Sequence, residues 1–185
     1  MVYKLINAYS KARESYPIPL SFNPDLVNIA VHIRRGDLLP GRQFSDLSSR
    51  MLPDAWYLEI LNIATKHLKG RLAIHIFSEG KEGQYHSENG QAFSWKEYFK
   101  DSPYEVHEHI DSNFMSTFHH LLHADLLIGS KSGMSHLAGM LSSQVKIMPH
   151  MWHSYRGTNQ LIEVAGTESE LDSEAIAKHL QTYLN

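Results

Sequence analysis

Leu26 to Ile33 reads LVNIAVHI, with two polar residues in eight, and it ends abruptly in charge at Arg34. A strand with one wet face alternates polar and apolar positions, so a run this apolar and β-branched belongs to a strand buried on both faces, as in a parallel sheet. Leu72–Phe77 (LAIHIF) and Asp125–Gly129 (DLLIG) repeat the pattern, Tyr104–Ile110 alternates, and Val145–Met148 and Leu161–Val164 are shorter strand candidates. Between these runs the apolar period changes to that of a helix. Tyr57, Ile60, Leu61, Ala64 and Leu68 form one stripe between Pro53 and Gly70, residues that suit a helix start and stop. Ser94-Trp95-Lys96-Glu97 spells a capping box for a short helix ending before Pro103. Asp111 or Ser112 is expected to cap a helix with Phe114, Phe118, Leu121 and Leu122 on its inner face, and Met134–Ser142 and Ser173–Leu184 are further helices. Strand and helix alternate throughout, which predicts a doubly wound α/β fold: a parallel sheet with helices on both faces.

The chain has 185 residues, enough for one such domain with a real core. Val2, Leu5, Ile6 and Tyr9 recur at helical spacing before Pro17, Pro19 and Pro24 forbid continuation. Residues 1–24 therefore read as a helix and a proline-rich connector, and residues 25–185 as the domain proper. Lys plus Arg number 17 against 20 Asp plus Glu, a net charge of 17 − 20 = −3, so neither nucleic acid nor a membrane surface is an expected partner. The absence of cysteine excludes disulfides, thiolate metal sites and cysteine nucleophiles, and favours a reducing compartment. No segment approaches the ~18 apolar residues of a membrane span, and the opening stretch lacks a signal-length apolar core. A cytoplasmic location is expected.

In doubly wound folds ligands bind beyond the carboxyl ends of the strands, which selects the loops at Arg34–Asp37, Ser78–Gly83 and Ser130–Ser135. The first reads His32-Ile33-Arg34-Arg35-Gly36-Asp37. Two guanidinium groups at the mouth of a buried strand need an anion, and arginine's planar fork suits a diphosphate. Gly36 permits close approach of the backbone, and Asp37 can orient one arginine. On residue chemistry alone, pairing with local carboxylates such as Asp37 and Asp46 serves the arginines equally well. The loop Ser130-Lys131-Ser132-Gly133-Met134-Ser135 sets hydroxyls and free N–H groups before a helix, an arrangement that cradles anions. Taken singly it reads better as plain capping. Two anion-suited loops at one sheet edge say more than either.

His32-Ile33-Arg34-Arg35-Gly36-Asp37 resembles the His-x-Arg-Arg-(Gly/Thr)-Asp signature of the α1,2-, α1,6- and protein O-fucosyltransferase superfamily, whose members use GDP-fucose. Asp111–Leu141 is similar to a later motif of that family, in which a helix precedes an Ala-Asp strand and a Ser-x-Ser loop, and Asn159-Gln160-Leu161 resembles a stretch just beyond it in the α1,6 enzymes. The resemblance runs from about Asn28 to Val164 in matching order. It implies the Rossmann-like, C-terminal donor-binding half of a GT-B glycosyltransferase that transfers fucose with inversion and without a metal or other cofactor. By the resemblance Arg34 and Asp37 are catalytic, His32 faces the guanine, Arg34 and Arg35 meet the diphosphate, and Ser130, Ser132, Gly133 and Ser135 surround the phosphate oxygens. Asp111 matches a base-contacting acid of the α1,2 enzymes, although the α1,6 enzymes place theirs where this chain has Thr117. Ser78-Glu79 matches a Ser-Asp-Asp position loosely. The chain departs from the α1,6 pattern after Asp37: where those enzymes carry a lysine and a glutamate implicated in acceptor activation, it reads Leu38-Leu39-Pro40-Gly41-Arg42-Gln43. The acceptor, a carbohydrate or glycoconjugate, is held largely by an N-terminal domain in GT-B enzymes. That domain is expected on a separate chain, or the chain is a truncated half or a non-catalytic nucleotide-sugar-binding module.

Thirteen histidines raise a metal centre. His119, His120 and His123, and His107 with His109, have permissive spacing only, and no His-Glu-x-x-His occurs, so helix packing or solvent is the better account. Arg35-Gly36-Asp37 spells an adhesion tripeptide but lies at a buried strand's exit, and no Gly-x-Ser-x-Gly elbow supports a serine hydrolase. Trp56/Tyr57 and Trp95/Tyr98/Phe99 read as core. The loop Met148-Pro149-His150-Met151-Trp152-His153 is suited to covering a base or sugar, with packing slightly favoured.

Overall fold

The computed structural model describes residues 2–15, 17–151 and 154–184. Six strands, β1 (Val27–Ile33), β2 (Leu72–Ser78), β3 (Glu105–Ile110), β4 (Leu126–Ile128), β5 (Val145–Pro149) and β6 (Leu161–Val164), form one parallel sheet in the order β3-β2-β1-β4-β5-β6. That is the doubly wound order in which the chain reverses direction across the sheet between β1 and β4. The helices are α1 (Val2–Ser15), α2 (Asp54–His67), α3 (Trp95–Tyr98), α4 (Phe114–His123), α5 (Gly133–Leu141) and α6 (Ser173–Leu184). On one face Ile29, Val31, Ile33, Ile74 and Ile76 pack under α2, α3 and α6, including Trp56, Tyr57 and Trp95. On the other, Ala30, Phe77, Leu127 and Met148 pack under α4 and α5, with Tyr9 of α1 and Phe22 joining them.

The local signals explain the boundaries. Trp56, Tyr57, Ile60, Leu61 and Ala64 are all buried on α2, and Gly70 follows with φ of +98°. Ser94 Oγ accepts from the Glu97 N–H and opens α3. The start of α4 differs from the sequence expectation: Asn113 is the cap, its side chain accepting from the N–H groups of Met115 and Ser116. Asp111 instead adopts φ of +55° and accepts from the Gly80 N–H at 2.9 Å, binding the approach to α4 onto the loop after β2. Tyr98 is exposed while Trp95 and Phe99 are core, so that aromatic band is divided. The backbone of α1 is helical as expected, though the side chains of Val2, Leu5 and Ile6 lie outside those described. Trp152 and His153 also lie outside the described residues. Among the described residues no helix is long and apolar enough to cross a membrane.

Candidate functional site

The loops after β1 and β4 leave the sheet on either side of its switch point, and a crevice of about 290 Å³ opens between them. His32, Arg34 and Asp37 come from the first loop, Ser132, Gly133 and Met134 from the start of α5, and Glu79 and Phe114 complete the lining. Arg34 is 27% exposed, and its Nη2 donates to both oxygens of Asp37, at 3.2 and 2.9 Å. The pair holds the guanidinium at the crevice wall. Gly36 has φ of +51°, and a Cβ there would lie 2.1 Å from Glu79 Oε2, so only glycine lets the Glu79 side chain cross this turn. Burial, then the neighbouring Asp37, raises the Glu79 pKa. A second recess of about 400 Å³ brings Asp37, Glu79 and Asp111 to one mouth, with Arg42 and Gln43 on its rim.

Beneath the crevice, His32 Nδ1 lies 2.6 Å from Ser135 Oγ and 3.1 Å from Ser130 Oγ, and the Ser130 N–H donates to Ser135 Oγ at 3.0 Å. These hydroxyls fix the imidazole from the inner side, and both serines are buried outside the crevice lining. Burial, reinforced by Arg34, lowers the His32 pKa to about 4, so the ring is neutral near pH 7 and presents one donor and one acceptor. Ser132 Oγ accepts from the Met134 N–H as the cap of α5. Ser132, Gly133 and Met134 bring the positive end of that helix to the crevice wall, which favours an anion there.

Four expected ligand contacts turn inward: Ser130 and Ser135, whose hydroxyls go to His32, and Arg35 and Ser78. Arg35 is fully buried and leaves the crevice: its Nη2 pairs with Asp54 at 2.5 Å and lies 3.5 Å from Glu88, its Nη1 donates to the Arg34 carbonyl, and its guanidinium sits over the Tyr85 ring. Consecutive residues at a strand's exit project to opposite sides, which separates the two arginines. Ser78 donates to the Ile33 carbonyl at 2.7 Å and ties β2 to β1, reaching only a recess of about 80 Å³ beside the crevice. Phe114 moves the other way. Expected on the inner face of α4, it is 58% exposed and forms part of the crevice wall with Met134. It stands four residues before Phe118, in register with the Phe118/Leu121/Leu122 stripe, so periodicity alone assigns it to the core, and its place as the first residue of α4 puts it outside. Among the described residues no group of three or more His, Asp or Glu side chains is arranged to hold a metal ion.

The fold and the crevice define a doubly wound α/β domain with an anion-suited site at its switch point. No protein-family model matches the chain, and neither does any curated protein.

Proposed function

We propose that this domain binds a GDP-sugar, GDP-fucose by the resemblance, and serves as the donor-binding part of a cytoplasmic fucosyltransferase-like glycosyltransferase. One observation carries the reading: the His32–Asp37 signature ends β1 at the switch point with Arg34 in the crevice, opposite the N-terminus of α5. In the proposed reaction an acceptor hydroxyl attacks the anomeric carbon and the bond to the β-phosphate oxygen breaks. GDP leaves with the bonding electrons and inversion results. Negative charge grows on the departing phosphate, where a fixed guanidinium and helix N–H groups stabilise it more than in the ground state, so no metal is required. Asp37, with both oxygens engaged by Arg34, positions that guanidinium. Glu79, whose raised pKa suits proton uptake, is the crevice carboxylate to receive the acceptor's proton.

A second reading, a nucleotide-sugar-binding module without transfer, is favoured by the stretch Leu38–Gln43, which carries no carboxylate. Thermal unfolding with added nucleotides tests what the two readings share. GDP is expected to stabilise the fold by about 2.7 kcal/mol at 100 times Kd, and no shift at millimolar GDP overturns both. An equal shift with UDP removes the guanine assignment. Transfer from GDP-fucose to a panel of carbohydrate acceptors then separates enzyme from module. Such transfer is expected to survive EDTA, and its loss on chelation with recovery in manganese rejects the metal-free mechanism.

A further inference from the structure

Histidines join the N-terminal arm to the domain. In the β2–β3 register His75 lies beside His107, and Phe77 beside His109. The rings stack, His75 on His107 with centroids 4.7 Å apart and Phe77 on His109 at 4.4 Å, and His75 Nδ1 lies 3.0 Å from His109 Nε2. From α4, His120 closes over them, 5.9 Å from His109. The arm docks on this layer. Phe22 stands edge-on to His75 and His120, with centroids 4.7 and 5.0 Å away. The Ser21 N–H donates to His120 Nε2 at 3.0 Å, Arg13 Nη1 meets His123 Nε2 at 3.0 Å, and the Tyr9 hydroxyl bonds His119 Nδ1.

The donors facing these nitrogens fix the protonation state. A backbone N–H and a guanidinium only donate, so His120 Nε2 and His123 Nε2 must be acceptors, and both rings are neutral while the arm is docked. For His120 this leaves Nδ1 as the donor to the Ser116 carbonyl at 2.7 Å. A proton on either Nε2 turns a hydrogen bond into two opposed donors. The surrounding charges work the same way: Arg13 of α1 faces His119 and His123, Lys96 of α3 faces His109, and the histidines face one another. Among the described residues the carboxylate paired with this group is Glu105, 3.7 Å from His107 at the sheet's exposed edge. Burial first, then these neighbours, lowers the pKa of His75 to about 3, of His109 and His119 to about 4, and of His123 as well.

We propose that this interface is an acid-sensitive latch: neutral His120 and His123 hold α1 and the Ser21–Phe22 segment on the domain, and their protonation releases that arm before the sheet unfolds. The docked state binds fewer protons than the released one. Docking is therefore complete above the ordinary histidine pKa, near 6.5, and weakens below it, where His123, its pKa lowered by burial and then by Arg13, takes up a proton. Tyr9 also packs edge-on against Phe118, whose ring stacks on Phe114 of the crevice wall, so the arm and the crevice share one aromatic row.

Hydrogen exchange on the full chain, corrected for the intrinsic pH dependence of exchange, tests the latch at pH 7.5 and pH 5. Amides of α1 and of residues 18–22 are expected to lose protection at least tenfold at pH 5 while β1 and β4 keep theirs. The His120→Gln, His123→Gln double variant, which offers acceptors that take no proton, is expected to keep its arm protected at both pH values. Loss of arm and sheet protection together, an arm still protected at pH 5 in the unsubstituted chain, or release of the variant's docked arm at pH 5 each overturns the proposal. If the variant's arm is already exposed at pH 7.5, proton NMR of the unsubstituted chain decides. A release midpoint that tracks the titration of His120 and His123 supports the latch, and one that does not overturns it.

Discussion

Arg34 keeps 27% of its side chain exposed and grips Asp37, whereas Arg35 is entirely buried against Asp54. Substitutions at the two positions are therefore expected to fail differently. Arg34→Lys preserves charge but not the planar fork, and loss of a charge-assisted pair of hydrogen bonds predicts GDP affinity lower by about tenfold to a hundredfold. Its stability should change by no more than ~1 kcal/mol, because a half-exposed ion pair is all that is lost. Arg35→Met leaves Asp54 without its partner inside the fold and should cost about 3–5 kcal/mol, with affinity retained by the folded fraction. Urea unfolding and GDP titration of both variants check this, and a large stability loss for Arg34→Lys with affinity intact makes Arg34 structural. At this scale the sequence was informative about residue types and uninformative about direction. An arginine pair at a strand exit announces an anion or a carboxylate; here both residues pair with carboxylates, Arg34 with Asp37 at the crevice wall and Arg35 with Asp54 inside the fold. The serines are similar: Ser130 and Ser135 lie at the predicted loop, yet their hydroxyls are spent on His32.

The start of α4 shows how an element's boundary shapes the site. Asp111, Ser112 and Asn113 are all competent caps, and the sequence reading names only the first two. The ranking came from tertiary contacts, since Asp111 is drawn to the Gly80 N–H and leaves Asn113 at the helix start. Phe114 keeps to the Phe118 face, four residues back and stacked on its ring, but as the first residue of the helix it lies past the edge of the core and at the crevice. Asn113→Ala should cost about 1 kcal/mol and lower Tm by roughly 2–4 °C, while Ser112→Ala should stay within ~0.5 kcal/mol. Equal losses in thermal unfolding would return the cap to the earlier position. Gly36 is the corresponding constraint on the β1 loop. Gly36→Ala imposes a positive φ on a side chain and drives its Cβ into Glu79. At least ~1 kcal/mol of stability should be lost, with a weaker GDP response because Glu79 is displaced from the crevice.

Over the whole molecule, the alternation of apolar runs and helical stripes carried the doubly wound architecture, because a strand buried on both faces has almost no polar positions to misread. Strand order is a different matter: β1 sits between β2 and β4 through contacts far apart in sequence, and no local pattern encodes them. The loop between β1 and α2, with its two 3-10 segments at Gly36–Leu38 and Ser45–Arg50, was likewise invisible to periodicity. The folded molecule does have one global property that follows from burying neutral histidine at its centre. His32 lies under the crevice with its pKa lowered from 6.5 to about 4, by burial and then by Arg34. The unfolded chain therefore takes up a proton that the folded chain refuses, so this part of the stability is complete above pH 6.5 and is lost as pH falls through about 4. Trp56 and Trp95 are buried in the sheet's other layer, so with Trp152→Phe as the background tryptophan fluorescence reports the core. Urea midpoints read that way should fall steadily between pH 6.5 and pH 4.5. His32→Asn, which can still bond Ser135 but takes no proton, should make the decline shallower by one group's share, with His75 and His109 keeping theirs, while lowering stability at pH 7. A decline of unchanged slope in that variant would assign the acid sensitivity to other groups and leave His32 without a part in it.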